Sequence, residues 1–79
     1  MSNQNYVLKM AQLVGFLKNE VGGTADQLAE KMNISRRTMF RYLEELRDIG
    51  AEIEYCRENN SYFIRNEFDF LETFFKSVL

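Results

Sequence analysis

Residues 24–50 constrain this chain most, because short local signals there set two helices almost end to end. "TADQLAEKM" opens on Thr24 with Gln27 three residues later. That spacing is a capping box, in which the threonine hydroxyl accepts from an early backbone N–H and the glutamine reaches back to the cap. Leu28, Ala29 and Met32 form an inward stripe for only two to three turns. Asn33 follows, a residue that tolerates the left-handed conformation of a tight turn, and Ile34 is placed to plug the elbow. Ser35 then caps a longer helix running to about Ile49, with Met39, Leu43 and Leu46 at i, i+4 and i+7 as its buried face. Gly50 suits the left-handed end of that helix.

The flanks supply the remaining elements. Residues 5–19 carry Val7, Met10, Leu13, Val14 and Leu17 at helical spacing, weakened at Gly15 and broken by Gly22-Gly23. From Ala51 the period changes to two. Ile53 and Tyr55 alternate with Glu52 and Glu54, and "SYFIR" sets Tyr62 and Ile64 on one face. With "ENN" between them, these runs predict a β-hairpin. "NEFDFLETFFKSVL" returns to helical spacing, with Phe68, Leu71, Phe75 and Val78 in one stripe, Phe74 widening it and Asn66 as its cap. The expected fold is mainly α with a small β-hairpin. A body over residues 1–66 is followed by an amphipathic helix over 67–79. At 79 residues there is one domain with a small core.

Composition removes several classes of function. There is no histidine and a single cysteine, Cys56, so an internal disulfide, the usual zinc sets and the commonest general base are all missing. No nucleophile–base pair stands out, and neither enzymatic activity nor a cofactor or metal is expected. Cys56 lies in an alternating stretch and reads as a packing residue. No apolar run approaches the ~20 residues of a membrane helix. The N-terminus lacks the pattern of a signal peptide, and a reduced, cytoplasmic setting is expected.

A short helix, a tight turn and a longer helix with a basic opening make up the helix-turn-helix plan, whose second helix reads a DNA major groove. Opposite the buried stripe of that helix lie Arg37, Arg41, Glu44 and Asp48, with Thr38 and Phe40 on the flanks. Arginine suits base reading because its planar fork bridges two acceptors on guanine. Ser35 and Thr38 suit phosphate contacts, as does the helix N-terminus. The whole chain is acidic, at net charge −2, but the charge is unevenly spread. Residues 31–47 hold five basic side chains against two acidic, net +3, while 51–79 hold three against six, net −3. A focused patch of this kind predicts site recognition with weak, salt-sensitive grip on random DNA. The competing reading is a solvated face, with Arg41 paired to Glu44 and Glu45 along the helix.

The stretch "TADQLAEKMNISRRTMFRYLEELRDIGAEIEYCRENNSYFI" resembles the winged helix-turn-helix domain of WYL-type and DeoR-like bacterial transcription regulators, and more loosely the biotin-repressor DNA-binding domain. The matching pieces are T-x-x-x-L-A-E, I-S-R-R-T-x-x-R-x-L-x-x-L and G-A-x-I-E-Y, and the likeness covers roughly residues 6–65. It implies a three-helix core with a two-stranded wing, and double-stranded DNA as partner. It places Ser35, Arg36, Arg37, Thr38 and Arg41 at recognition-helix positions and Phe40 against the sugar-phosphate backbone. Arg57, Asn59 and Asn60 fall at the wing. Two departures stand out. Asn60-Ser61 replace the glycine pair expected before the wing tyrosine, and one helix follows where the family carries a long sensor or effector domain. The family acts as dimers, which assigns Phe68, Leu71, Phe74, Phe75 and Val78 to homodimerisation of a repressor-like regulator; covering the domain's own core is the other reading of that helix. A winged-helix adaptor with a protein partner in place of DNA is the alternative function.

Overall fold

The computed structural model describes residues 2–19 and 22–78, with side chains from Tyr6 onward except those of residues 74, 77 and 78. In chain order the elements are α1 (Ser2–Asn19), α2 (Ala25–Met32), α3 (Arg36–Asp48), β1 (Ile53–Cys56), β2 (Ser61–Ile64) and α4 (Phe70–Val78). This is a winged helix-turn-helix with an added C-terminal helix.

Both caps form as the sequence implies. The Gln27 amide donates to Thr24 Oγ1 at 3.2 Å and the Thr24 amide donates to Gln27 Oε1 at 2.9 Å, closing the capping box. Asn33 ends α2 in the left-handed region at φ 56°, and its amide donates to the carbonyls of Ala29 and Glu30. Lys9 of α1 reaches across to donate to the Met32 carbonyl at 3.1 Å, so one exposed end of α2 is satisfied from a neighbouring helix. Gly50 takes φ 114° after α3.

Met10, Leu13 and Leu17 of α1, Leu28 of α2 and Met39, Leu43 and Leu46 of α3 meet in a centre that water does not reach. Each such side chain contributes about 1.5–3 kcal/mol of hydrophobic stabilisation. Tyr42 widens the buried face of α3 beyond the three positions read from the sequence, because its ring meets Tyr6 edge-on at 5.7 Å.

The wing is an antiparallel pair with Ile53 opposite Ile64 and Tyr55 opposite Tyr62. The two tyrosine rings pack edge to face at 4.9 Å. Its position is set by the loop between α1 and α2. The Tyr62 amide donates to the Gly23 carbonyl at 3.1 Å, and the Gly23 amide donates to the buried Ser61 hydroxyl at 3.0 Å. The glycine pair is required at this join. A Cβ on Gly22 would overlap the buried Leu28 side chain, and Gly23 sits at φ 88°.

The last helix departs from expectation at its start. Asn66 does not cap it. Its side-chain oxygen accepts from the Glu52 amide at 3.1 Å and its amide nitrogen donates to the Gly50 carbonyl at 2.9 Å, tying the end of the wing to the end of α3. Asp69 is the cap, with Oδ1 accepting from the Glu72 amide at 3.0 Å, and the helix begins at Phe70. Phe68 therefore precedes the helix and is buried in the chain's own core, together with Phe70. Leu71 and Phe75 remain 48% and 54% exposed. The expected single stripe of Phe68, Leu71 and Phe75 is thus split between core and surface. The side chains of Phe74 and Val78 lie outside the described residues.

Candidate nucleic-acid interface

The interface candidate is built on the first two turns of α3. Ser35 stands before the helix in extended backbone, and its Oγ accepts from the Thr38 amide at 3.1 Å. The same hydroxyl donates to Thr38 Oγ1 at 2.9 Å. Thr38 thereby keeps its own hydroxyl hydrogen for an outside acceptor, such as a phosphate oxygen. Both side chains sit where the helix N-terminus presents partial positive charge.

Ser35, Arg36, Arg37, Phe40 and Arg41 are exposed and Thr38 is half-buried, so the six recognition-helix candidates share one accessible segment. The structure separates the three arginines by what they touch. The Arg37 side chain has no hydrogen bond, ion pair or ring contact to the described residues. Arg36 Nε lies 3.1 Å from Asp26 Oδ1, in the first turn of α2, and its guanidinium stands 5.3 Å from the Phe40 ring centroid. Arg41 Nε lies 3.9 Å from Glu45 Oε2, and its guanidinium is 5.8 Å from the Tyr42 ring.

Phe40 is 40% exposed and is no core residue; it forms a platform beside Arg36. Glu44 does not pair with Arg41. It takes Arg47 Nη1 at 3.0 Å, while Arg47 Nη2 donates to the Ile53 carbonyl at 3.4 Å. Arg47 thus links α3 to the wing and adds little to the outward charge.

Glu45 is held from the other side by the Tyr6 hydroxyl, which donates to Oε1 at 2.7 Å. Burial, followed by this bond to a carboxylate, pushes the Tyr6 pKa up to about 12. Sequence reasoning missed Asp26 and Tyr6 as neighbours of the arginines, because both belong to other helices and no local spacing connects them. Glu45 was legible through its i,i+4 relation to Arg41.

The wing candidates form a separate group. Arg57, Asn59 and Asn60 are all exposed in the turn between β1 and β2. Asn60 takes φ 51°, supplying the positive φ for which a glycine is the common choice. Its side-chain oxygen accepts from the Tyr55 hydroxyl at 3.4 Å. The substitution of asparagine in this turn therefore preserves a left-handed corner. No helix among the described residues is long and apolar enough to cross a membrane, and no cluster of metal-binding side chains occurs among them.

Comparison with known proteins gives one positive finding. No match was found among curated proteins or among solved structures. A family model described as an HTH domain matches residues 9–58, from the core of α1 through α2 and α3 to the tip of the wing. That span exceeds half of the chain and supports DNA binding in transcription regulation; the chain belongs to the helix-turn-helix (HTH) domain family.

Proposed function

We propose that this chain is a sequence-specific double-stranded DNA-binding regulator of transcription, repressor-like and cytoplasmic, that works as a homodimer and is related to WYL-type and DeoR-like regulators. One observation carries the reading. Within an HTH fold, the Ser35-capped opening of α3 exposes three arginines, a threonine hydroxyl and an aromatic platform on one short segment. In this mechanism Ser35 and Thr38 seat the helix on the backbone. Arg37 and Arg41, with Arg36 as an alternate, read base edges, Phe40 packs against the sugar-phosphate chain, and Arg57, Asn59 and Asn60 add contacts from the wing. The exposure of Leu71 and Phe75 supports a dimer through α4, which would space two reading helices for a palindromic site. Phe68 belongs to the core and has no part in that dimer face.

A protein-binding adaptor is the second reading, favoured by the acidic wing and by those same exposed apolar side chains. The two are separated by selecting duplexes in vitro from a random pool, then measuring fluorescence anisotropy on selected and scrambled duplexes. Enrichment of one site, bound more tightly than its scramble, supports the DNA reading. No binding at ~50 mM salt, where phosphate contacts are strong, would falsify it and leave the adaptor.

A further inference from the structure

The contacts of the three arginines carry a consequence for specificity that rests on the DNA reading above. We propose that Asp26 and Glu45 are positioning residues that bias Arg36 and Arg41 toward bases and away from phosphates.

The atoms involved carry the inference. Both carboxylates approach their arginine at Nε: Asp26 Oδ1 at 3.1 Å from Arg36 and Glu45 Oε2 at 3.9 Å from Arg41. A guanidinium has five N–H donors in a fixed plane, and contact at Nε leaves the two terminal nitrogens open. Those nitrogens form the fork that spans guanine O6 and N7. The ion pairs, close for Arg36 at 3.1 Å and loose for Arg41 at 3.9 Å, thus leave the base-reading end without a hydrogen bond among the described residues and favour one side-chain orientation before DNA arrives. Asp26 projects from the first turn of α2 as an exposed side chain, and Glu45 is held on its other oxygen by Tyr6 at 2.7 Å. The Phe40 ring beside the Arg36 guanidinium adds a second restraint on that side chain.

The same carboxylates act against phosphate. An arginine beside a carboxylate presents little net charge, so it draws a phosphate weakly, whereas guanine's acceptors are neutral and need geometry more than charge. Asp26 also places a negative charge at the N-terminus of α2, a position that otherwise attracts phosphate. Of the three, Arg37 alone is left without a carboxylate partner among the described residues and keeps its full charge as it reads a base edge. On this proposal the basic helix has little general affinity for DNA.

The test uses the full chain, a duplex obtained by in vitro selection and its scramble, with anisotropy titrations from 50 to 200 mM salt. Asp26→Asn and Glu45→Gln each free one arginine for phosphate while keeping a polar side chain of similar size. Each extra phosphate neutralised steepens the log–log salt dependence by about 0.9, a roughly threefold larger loss across that salt range. The expected result is this steepening on the scrambled duplex, with scrambled binding tightened roughly threefold or more at 50 mM and the selected-to-scrambled ratio reduced by at least as much. Asp26→Glu, which retains the charge, keeps the shallow slope. Unchanged slopes and ratios in both neutral variants overturn the proposal while the DNA reading stands, as does an equal change in Asp26→Asn and Asp26→Glu. Failure of the wild-type chain to bind any duplex removes the DNA reading and this inference together.

Discussion

Replacing Gly23 by alanine tests how the wing is attached to the helical core. The backbone there has φ 88°, a conformation that costs an L-residue roughly 1–2 kcal/mol. The new Cβ would also meet Gln27 Oε1 closely, so that side chain must swing away. Its 2.9 Å bond from the Thr24 amide is then lost, with half of the capping box. A hydrogen bond of this kind contributes about 1 kcal/mol, so Gly23→Ala should cost about 2–3 kcal/mol in total. For a domain of this size each kcal/mol lowers Tm by roughly 4–8 °C. Thermal and urea unfolding followed by circular dichroism should therefore show a fall on the order of 10 °C or more. Gln27→Ala alone removes the same hydrogen bond without the backbone strain and should cost about 1 kcal/mol. Because both changes delete one shared bond, the double variant should be less destabilised than the sum of the singles, by roughly that 1 kcal/mol. Full additivity, or a Gly23→Ala cost below about 0.5 kcal/mol, would refute the account of this loop.

Four further outcomes follow from the geometry. Ser61→Ala should cost about 1–3 kcal/mol in urea unfolding, since it removes the buried acceptor of the Gly23 amide. A loss indistinguishable from zero would mean that Ser61 does not anchor the wing. Tyr6 has its pKa raised from 10.0 to about 12, so the stability it confers is complete below pH 10 and lost as pH rises toward about 12. Tyr6→Phe should flatten that alkaline loss in pH-dependent melts, and an unchanged profile would disprove the link. Arg37→Ala should weaken binding to a selected duplex by about 1–3 kcal/mol if Arg37 reads a base, whereas equal losses on selected and scrambled duplexes would make it a phosphate contact. Phe75→Lys, at a side chain 54% exposed, should shift sedimentation from dimer to monomer and lower a melting temperature that in the wild type rises with protein concentration. A wild-type chain that sediments as monomer at micromolar concentration overturns the homodimer.

Elements whose causes are local were legible in the chain's residues alone. Thr24 with Gln27, Asn33, Ser35 and Gly50 mark helix ends through bonds and backbone angles spanning three or four residues, and each behaves as its spacing implies. The stripe of Met39, Leu43 and Leu46 likewise reports its own period, whereas the alternation expected through β1 buries Ile53 but leaves Tyr55 41% exposed near the tip of the wing. The arginines of α3 were visible as a basic segment for the same reason. The features that were not legible depend on distant residues competing for the same group. Asn66 looked like a helix cap, but the unpaired Glu52 amide and Gly50 carbonyl claimed its side chain, and the helix start moved to Asp69. That shift placed Phe68 in the core and left Leu71 and Phe75 at the surface. Nothing in the spacing of Arg36 foretold that α2 would bring Asp26 to its Nε. Local chemistry set where the reading helix begins, and packing between helices set which of its charges are already engaged.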